Sequence, residues 1–288
     1  MTYRRRSSPL HAARAAIASL WCVAVSGVAL GLGHPAVLLA LFGAVLVAGR
    51  LARVGREVAR GALFAVPFGV LIALVNALVV REGVTVLLAL GELPPFGQID
   101  VTLEGLTYGA VFGLQAIVVV TCFALHSAAV DPDDLLRAFR RISFRSALTA
   151  ALATRMVPVL ARDARRLADA QRCRPDAPAP RVAVLRAVAT GALDRAADVA
   201  ATLEVRGYGA ARRPGRVVRP WSRHDAGFAV SLIAVVALAV AAAIWDLAPF
   251  EAYPRVSGAW NADVAIVAGA LVAAALAPFA DRRGIGRR

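Results

Sequence analysis

Residues 226–244 read AGFAVSLIAVVALAVAAAI, nineteen residues without a charge. At about 1.5 Å rise per residue, a helix of that length crosses the roughly 30 Å hydrocarbon core of a bilayer. Arg223 and Asp225 precede the run and Asp246 follows it, so a span is expected from about Ala226 to Asp246. Working outward, five more runs read the same way. They lie at about Ala15–Leu32, Pro35–Ala48 (reaching Ala52 if Arg50 snorkels), Ala62–Val80, Leu106–Ala129 and Asp263–Ala280. Across all 288 residues 59% are apolar and 18% charged. Soluble domains carry about 45–50% and about 25%. The expected fold class is an all-α integral membrane protein of about six transmembrane helices, with two or three cytoplasmic amphipathic helices.

Charge placement orients the chain. Its net charge is +14, and every basic residue other than the four histidines is arginine. With the N-terminus inside, the outer loops are 81–105 and 247–262, which hold only Arg81 and Arg255. The remaining arginines fall inside or at an inner boundary, as positive-inside bias requires. The expected location is the plasma membrane, multi-pass, with both termini cytoplasmic. Residues 131–225 hold nineteen arginines. Within them Leu185, Val188, Ala192, Ala196, Val199 and Leu203 recur at helical spacing, which predicts amphipathic helices along a surface. Crossing the membrane there would bury Arg155, Arg162, Asp194, Arg195 and Asp198 at about 2.5–3.5 kcal/mol per charge. The expected organisation is a membrane domain 1–130, a cytoplasmic domain 131–225 and a membrane hairpin with basic tail 226–288. The apolar patch Val84–Leu90 is too short to cross and reads as re-entrant or interfacial.

The composition excludes several chemistries. Without lysine there is no Walker A loop and no Schiff-base catalysis. Arginines that flank apolar spans argue against nucleic-acid binding. Cys22, Cys122 and Cys173 form no C-x-x-C pair, and His11, His34, His126 and His224 have no metal-ligand spacing. No metal or cofactor is expected. The first run ends in Gly33-His34-Pro35 and is read as a span, not a cleaved leader. Asn76 and Gln115 are read as helix–helix hydrogen-bonding groups, with a polar path as the alternative. Asp131-Pro132-Asp133-Asp134 reads as a helix cap rather than a carboxylate cluster.

Two helix ends stand out. Glu204-Val205-Arg206-Gly207-Tyr208-Gly209 closes one helix on glycines, and Asp169-Ala170-Gln171-Arg172-Cys173-Arg174-Pro175 closes the preceding one on proline. Each presents an arginine before a breaker, about thirty residues apart, in a segment that does not enter the membrane.

From Ser8 to Gly209 the chain resembles the transmembrane T component of energy-coupling-factor (ECF) transporters, the family that includes the Q-type subunit of cobalt importers. The resemblance rests on Ser8-Pro9-Leu10-His11, Glu104-Gly105-Leu106, Asp131-Pro132-Asp133-Asp134-Leu135, and Arg155 with Pro158. It also rests on Ala-Arg-Gly-type motifs at the two helix ends. Val205-Arg206-Gly207 fits the second motif. In the first, Arg174 is kept, while Cys173 stands for alanine and Pro175 for glycine. The resemblance implies a non-enzymatic coupling subunit with two ATP-binding-cassette ATPases and a small substrate-binding membrane (S) subunit for a vitamin or transition-metal ion. It assigns ATPase docking to Cys173, Arg174, Val205, Arg206 and Gly207, and support of the coupling helices to Arg155, Pro158, Arg172 and Glu204. Two readings from other classes stand beside it: a self-contained secondary transporter or channel, and an integral membrane enzyme using the carboxylates at 131–134.

Overall fold

Six helices carry the six apolar runs. A computed structural model describes residues 6–79, 85–93, 97–139, 144–173, 181–207, 220–253, 255–258 and 260–281. A short helix α1 (Pro9–Ala12), capped by Ser8, leads into α2 (Ala15–Gly31), α3 (Pro35–Leu51), α4 (Gly55–Val79) and α5 (Leu103–Ala129). Helix α6 (Pro132–Phe139) follows, then α7 (Phe144–Arg172) and α8 (Arg181–Val205). The chain closes with α9 (Arg223–Ile244), α10 (Ala262–Leu276) and a 3-10 turn over 277–279. Among the described residues α4, α5, α9 and the run 262–279 are long and apolar enough to cross a membrane, and α2 and α3 are shorter apolar helices. The protein is an all-α membrane protein.

Contacts divide the chain into two compact units, residues 1–135 with 221–288, and residues 136–220. The helices before and after the middle segment therefore pack as one body. Its side-chain bonds fix the direction of each helix. At one end the Arg6 guanidinium pairs with Glu57 and donates to the Arg53 carbonyl, and Arg53 donates to Ser7 Oγ at 2.7 Å. At that end too Ser19 Oγ and His126 Nε2 share a hydrogen bond of 3.0 Å. There Arg14 donates its backbone N–H to Asp225 at 2.7 Å and pairs with the carboxylate at 3.2 Å. At the other end Gln115 Nε2 donates to the Leu30 carbonyl at 3.3 Å, and the His34 ring meets Phe250 and Trp260 edge-on. So α2, α4 and α9 run one way, and α3, α5 and α10 the other.

The α4–α5 pair is the closest contact. In lipid, helices gain little by hiding apolar surface from one another, so small residues that let backbones approach provide the attraction. Gly61, Ala65, Gly69 and Ala77 lie buried on α4, and Gly105, Gly109 and Gly113 on α5; across the seam Gly61 meets Ala124, Gly69 meets Gly113 and Gly109 packs on Ala73. A Cβ on Gly113 would lie 2.3 Å from the Gly69 carbonyl oxygen, and one on Gly109 would lie 2.5 Å from that of Ala73. Away from this seam α4 shows large apolar side chains outward, with Leu63 at 74% and Phe64 at 67% exposure. On a soluble protein such a surface would drive association; in a bilayer it meets acyl chains.

The C-terminal pair α9–α10 completes the core. Trp21, Phe228 and Phe279 are fully buried and meet edge-to-face, with centroids 5.2–5.9 Å apart. Trp21 Nε1 donates to Ser231 Oγ at 2.9 Å, and Ser231 Oγ donates to the Ala274 carbonyl at 2.7 Å. Both buried polar groups are thereby satisfied, which a low-dielectric interior requires.

Three expectations change. The apolar patch at Val84–Leu90 falls largely in a strand, β1 (Val86–Leu93), which pairs antiparallel with β2 (Gly97–Thr102) as a hairpin, so it is not the simple apolar segment expected. Buried Glu104 anchors it, taking the Thr85 N–H between its two oxygens at 3.2 Å, while Leu103 N donates to the Thr85 carbonyl. A second, minimal hairpin, β3 (Phe250–Glu251) with β4 (Ser257–Gly258), joins α9 to α10. The basic loop expected around residues 50–60 is mostly helical, with Arg50 in the last turn of α3 and Arg56 and Arg60 in the first turns of α4. Asn76 donates to Ile72 O within its own helix at 2.9 Å and makes no helix–helix hydrogen bond among the described residues.

Candidate functional site

The second unit is built from α7 and α8. Neither has the hydropathy of a span, and arginine recurs along both. Each half-buries one stripe: Leu152, Met156, Val159, Asp163 and Leu167 on α7, and Val184, Val188, Ala192, Arg195, Val199 and Leu203 on α8. The α8 stripe departs from the expected one at two positions, since Leu185 and Ala196 are exposed and Arg195 turns inward. The reason is electrostatic. Arg195 reaches Asp163 across the pair at 2.9 Å, and both side chains are about one-third exposed. At that exposure the bond contributes about 0.2–1 kcal/mol and mainly fixes register. Beside it an open groove of about 390 Å³ lies between Arg166, Leu167 and Ala170 on α7 and Ala187, Val188 and Gly191 on α8.

These pairings make α7 and α8 antiparallel, so their C-terminal ends point away from each other. From the Asp163–Arg195 bond, α7 runs nine residues to Arg172 and α8 ten to Val205. At about 1.5 Å per residue the two ends lie roughly 20–30 Å apart.

The end of α8 is a clean stop. Gly207 sits at φ 75°, a conformation glycine adopts without cost, and its N–H donates to the Glu204 carbonyl at 2.8 Å. Arg206 N donates to Thr202 O at 3.2 Å. Glu204, Val205 and Arg206 are all exposed, Val205 at 90%. The Arg206 guanidinium has no polar partner among the described residues. At the end of α7, Arg172 pairs loosely with Asp169 at 3.6 Å in solvent, and Cys173 is exposed and free. Arg174 and Pro175 lie outside the described residues. Arg155 and Pro158 are exposed one turn apart near the middle of α7, more than 20 Å from its end at helical rise. They are not gathered with the terminal residues. The helix continues through Pro158, which cannot donate to the carbonyl of residue 154.

The carboxylates at 131–134 do cap a helix. Asp131 accepts from the Asp133 N–H at 2.9 Å, and its carbonyl accepts from Leu135 N at 3.1 Å. Among the described residues no three His, Cys, Asp or Glu side chains gather as a metal set would. Sequence reasoning missed Asp225 as a structural partner of Arg14. The signal present was the capping pair Ser222 and Asp225, with Ser222 N donating to Asp225 at 2.9 Å and Asp225 N to Ser222 at 3.1 Å.

No curated protein matches the chain. A family model described as cobalt transport protein, CbiQ, matches residues 6–215, from just before α1 to beyond the end of α8, and leaves α9 and α10 outside it. The chain belongs to that family, the T components of energy-coupling-factor transporters, and is a membrane component of a cobalt-type transport system.

Proposed function

We propose that this chain is the coupling subunit of an ECF-type importer, carrying the motion of two ATPase subunits to a small substrate-binding membrane subunit. The transported solute is a vitamin or a transition-metal ion, read by that other subunit. The observation that carries the reading is the end of α8. There an exposed arginine without a polar partner among the described residues, beside a 90% exposed valine, is held by a glycine stop on a helix too polar to cross the membrane. A guanidinium presented this way suits a groove lined by carbonyls or a carboxylate. Two exposed helix ends roughly 20–30 Å apart on one antiparallel pair suit two copies of a partner. A stiff helix pair also carries displacement better than a loop.

Affinity purification in mild detergent tests this. Wild type is expected to bring down cassette ATPases and a small membrane protein, while Arg206→Glu loses the ATPases and keeps its own fold. Removing one charged partner at a desolvated interface costs about 2–5 kcal/mol, enough to abolish co-purification. Full ATPase recovery by Arg206→Glu would remove the docking role from this residue.

The same reading puts both termini and α7–α8 in the cytoplasm. Cys173 is exposed while Cys22 and Cys122 are buried, so a maleimide that does not cross membranes reports one site. Labelling is expected in inverted vesicles and not in intact cells. Labelling of intact cells would reverse the orientation.

A further inference from the structure

The turn between α3 and α4 concentrates positive charge at the edge of the apolar region. Arg50, Arg53, Arg56 and Arg60 are all exposed within eleven residues. The carboxylate of the same run, Glu57, is paired with Arg6. Arg53 donates to Ser7 and Arg60 also feels the Glu57 charge, whereas Arg50 and Arg56 have no hydrogen-bond or ion-pair partner among the described residues. Immediately after Arg60 the apolar part of α4 begins at Gly61 and Ala62, which are buried. On the topology proposed above, the cluster falls where an apolar span meets the lipid headgroups.

Its backbone is arranged to bring the arginines together. α3 ends in a Schellman turn, with Val54 N donating to Gly49 O at 2.9 Å and Arg53 N to Arg50 O at 3.0 Å. The left-handed position of such a turn is ordinarily glycine, yet Arg53 occupies it at φ 61°. A strained residue of this kind points to a use for its side chain. Gly55, where a Cβ would lie 3.2 Å from Arg50 Cγ, lets the Arg50 stem pass over the start of α4. Orientation bias requires only that positive charge lie on one side. It does not require four arginines on one turn, one of them in a left-handed conformation.

We propose that the α3–α4 turn is a binding site for the headgroup of an anionic phospholipid. The stems lie along the apolar boundary and the guanidiniums meet the phosphate, which a planar fork holds with two hydrogen bonds. Juxtamembrane basic clusters attract anionic lipid, with each arginine contributing to the affinity.

The full-length protein in detergent is exposed to phosphatidylglycerol or phosphatidylcholine, and retained lipid is counted by native mass spectrometry. Wild type is expected to hold phosphatidylglycerol preferentially. Arg50→Gln/Arg56→Gln/Arg60→Gln should lose at least about tenfold of that retention, given three fewer headgroup contacts. Arg282→Gln/Arg283→Gln/Arg287→Gln, which removes as much charge from the tail, should lose none. Arg53→Gly keeps the proposal testable if the triple variant does not fold, because glycine suits φ 61°. It is expected to melt higher and bind less phosphatidylglycerol. Equal retention of the two lipids by wild type would overturn the proposal, as would undiminished phosphatidylglycerol retention by the triple variant or equal loss in the tail variant. Displacement of the lipid by millimolar inorganic phosphate would overturn it too, marking a site for small anions.

Discussion

Arg14→Met is expected to destabilise the membrane unit by about 3–5 kcal/mol, the usual cost of leaving one member of a buried ion pair alone. Asp225 is fully buried. It accepts from the Arg14 and Ser222 backbone N–H groups and forms an ion pair with the Arg14 guanidinium. Losing the guanidinium removes the only one of these partners that carries charge, at the point where α2 and α9 begin. Thermal unfolding of the purified protein in detergent reads the effect. The double variant Arg14→Met/Asp225→Asn should recover part of the loss, because asparagine keeps a capping oxygen without a buried charge. Equal melting of Arg14→Met and wild type would show that the pair contributes only register.

Gly113→Val should have an effect of similar size. Overpacking of a filled interface commonly costs about 1–3 kcal/mol, and neighbouring side chains usually absorb some of it by moving. Here the obstruction is backbone, the Gly69 carbonyl oxygen 2.3 Å from where the Cβ would be, so α4 and α5 must separate along their whole seam. The expected result is a loss of monodisperse protein on size exclusion and a lower melting temperature. Gly27→Val and Gly43→Val are the matched controls, since nothing lies within 4 Å of either added Cβ. Their melting should stay near wild type. If Gly113→Val behaves like the controls, close backbone approach is not what joins α4 to α5.

The apolar spans were legible because each is a run of nearly uniform character at membrane length, a signal that needs no knowledge of partners. The end of α8 was legible for a similar reason, as glycine after a periodic run is a local stop. Contacts between distant positions were not. Nothing near Arg14 announces a carboxylate 211 residues away. Leu185 looked like a core position by spacing, but the Asp163–Arg195 bond turns α8 so that Arg195 faces inward. The β1–β2 hairpin had a local signal that the apolar patch outweighed. Gln98, Ile99, Asp100 and Val101 alternate polar and apolar, and Pro94, Pro95 and Gly97 mark a turn. Glu104 stood out only as part of a motif, whereas the structure uses it to tie that hairpin to the start of α5.

The burial of Trp21 against Phe228 and Phe279, together with the Arg14–Asp225 pair, also bears on how the chain is made. A ribosome adding about 5–20 residues per second needs roughly ten to forty seconds to travel from Arg14 to Asp225. During that interval α2 and α3 are already in the lipid with one flank uncovered, and an arginine waits at the membrane edge for its acid. The nascent four-helix half must persist, alone or attended by the insertion machinery, until the last hairpin emerges. A substitution in α9 or α10 is therefore expected to reduce the yield of finished protein as well as its stability.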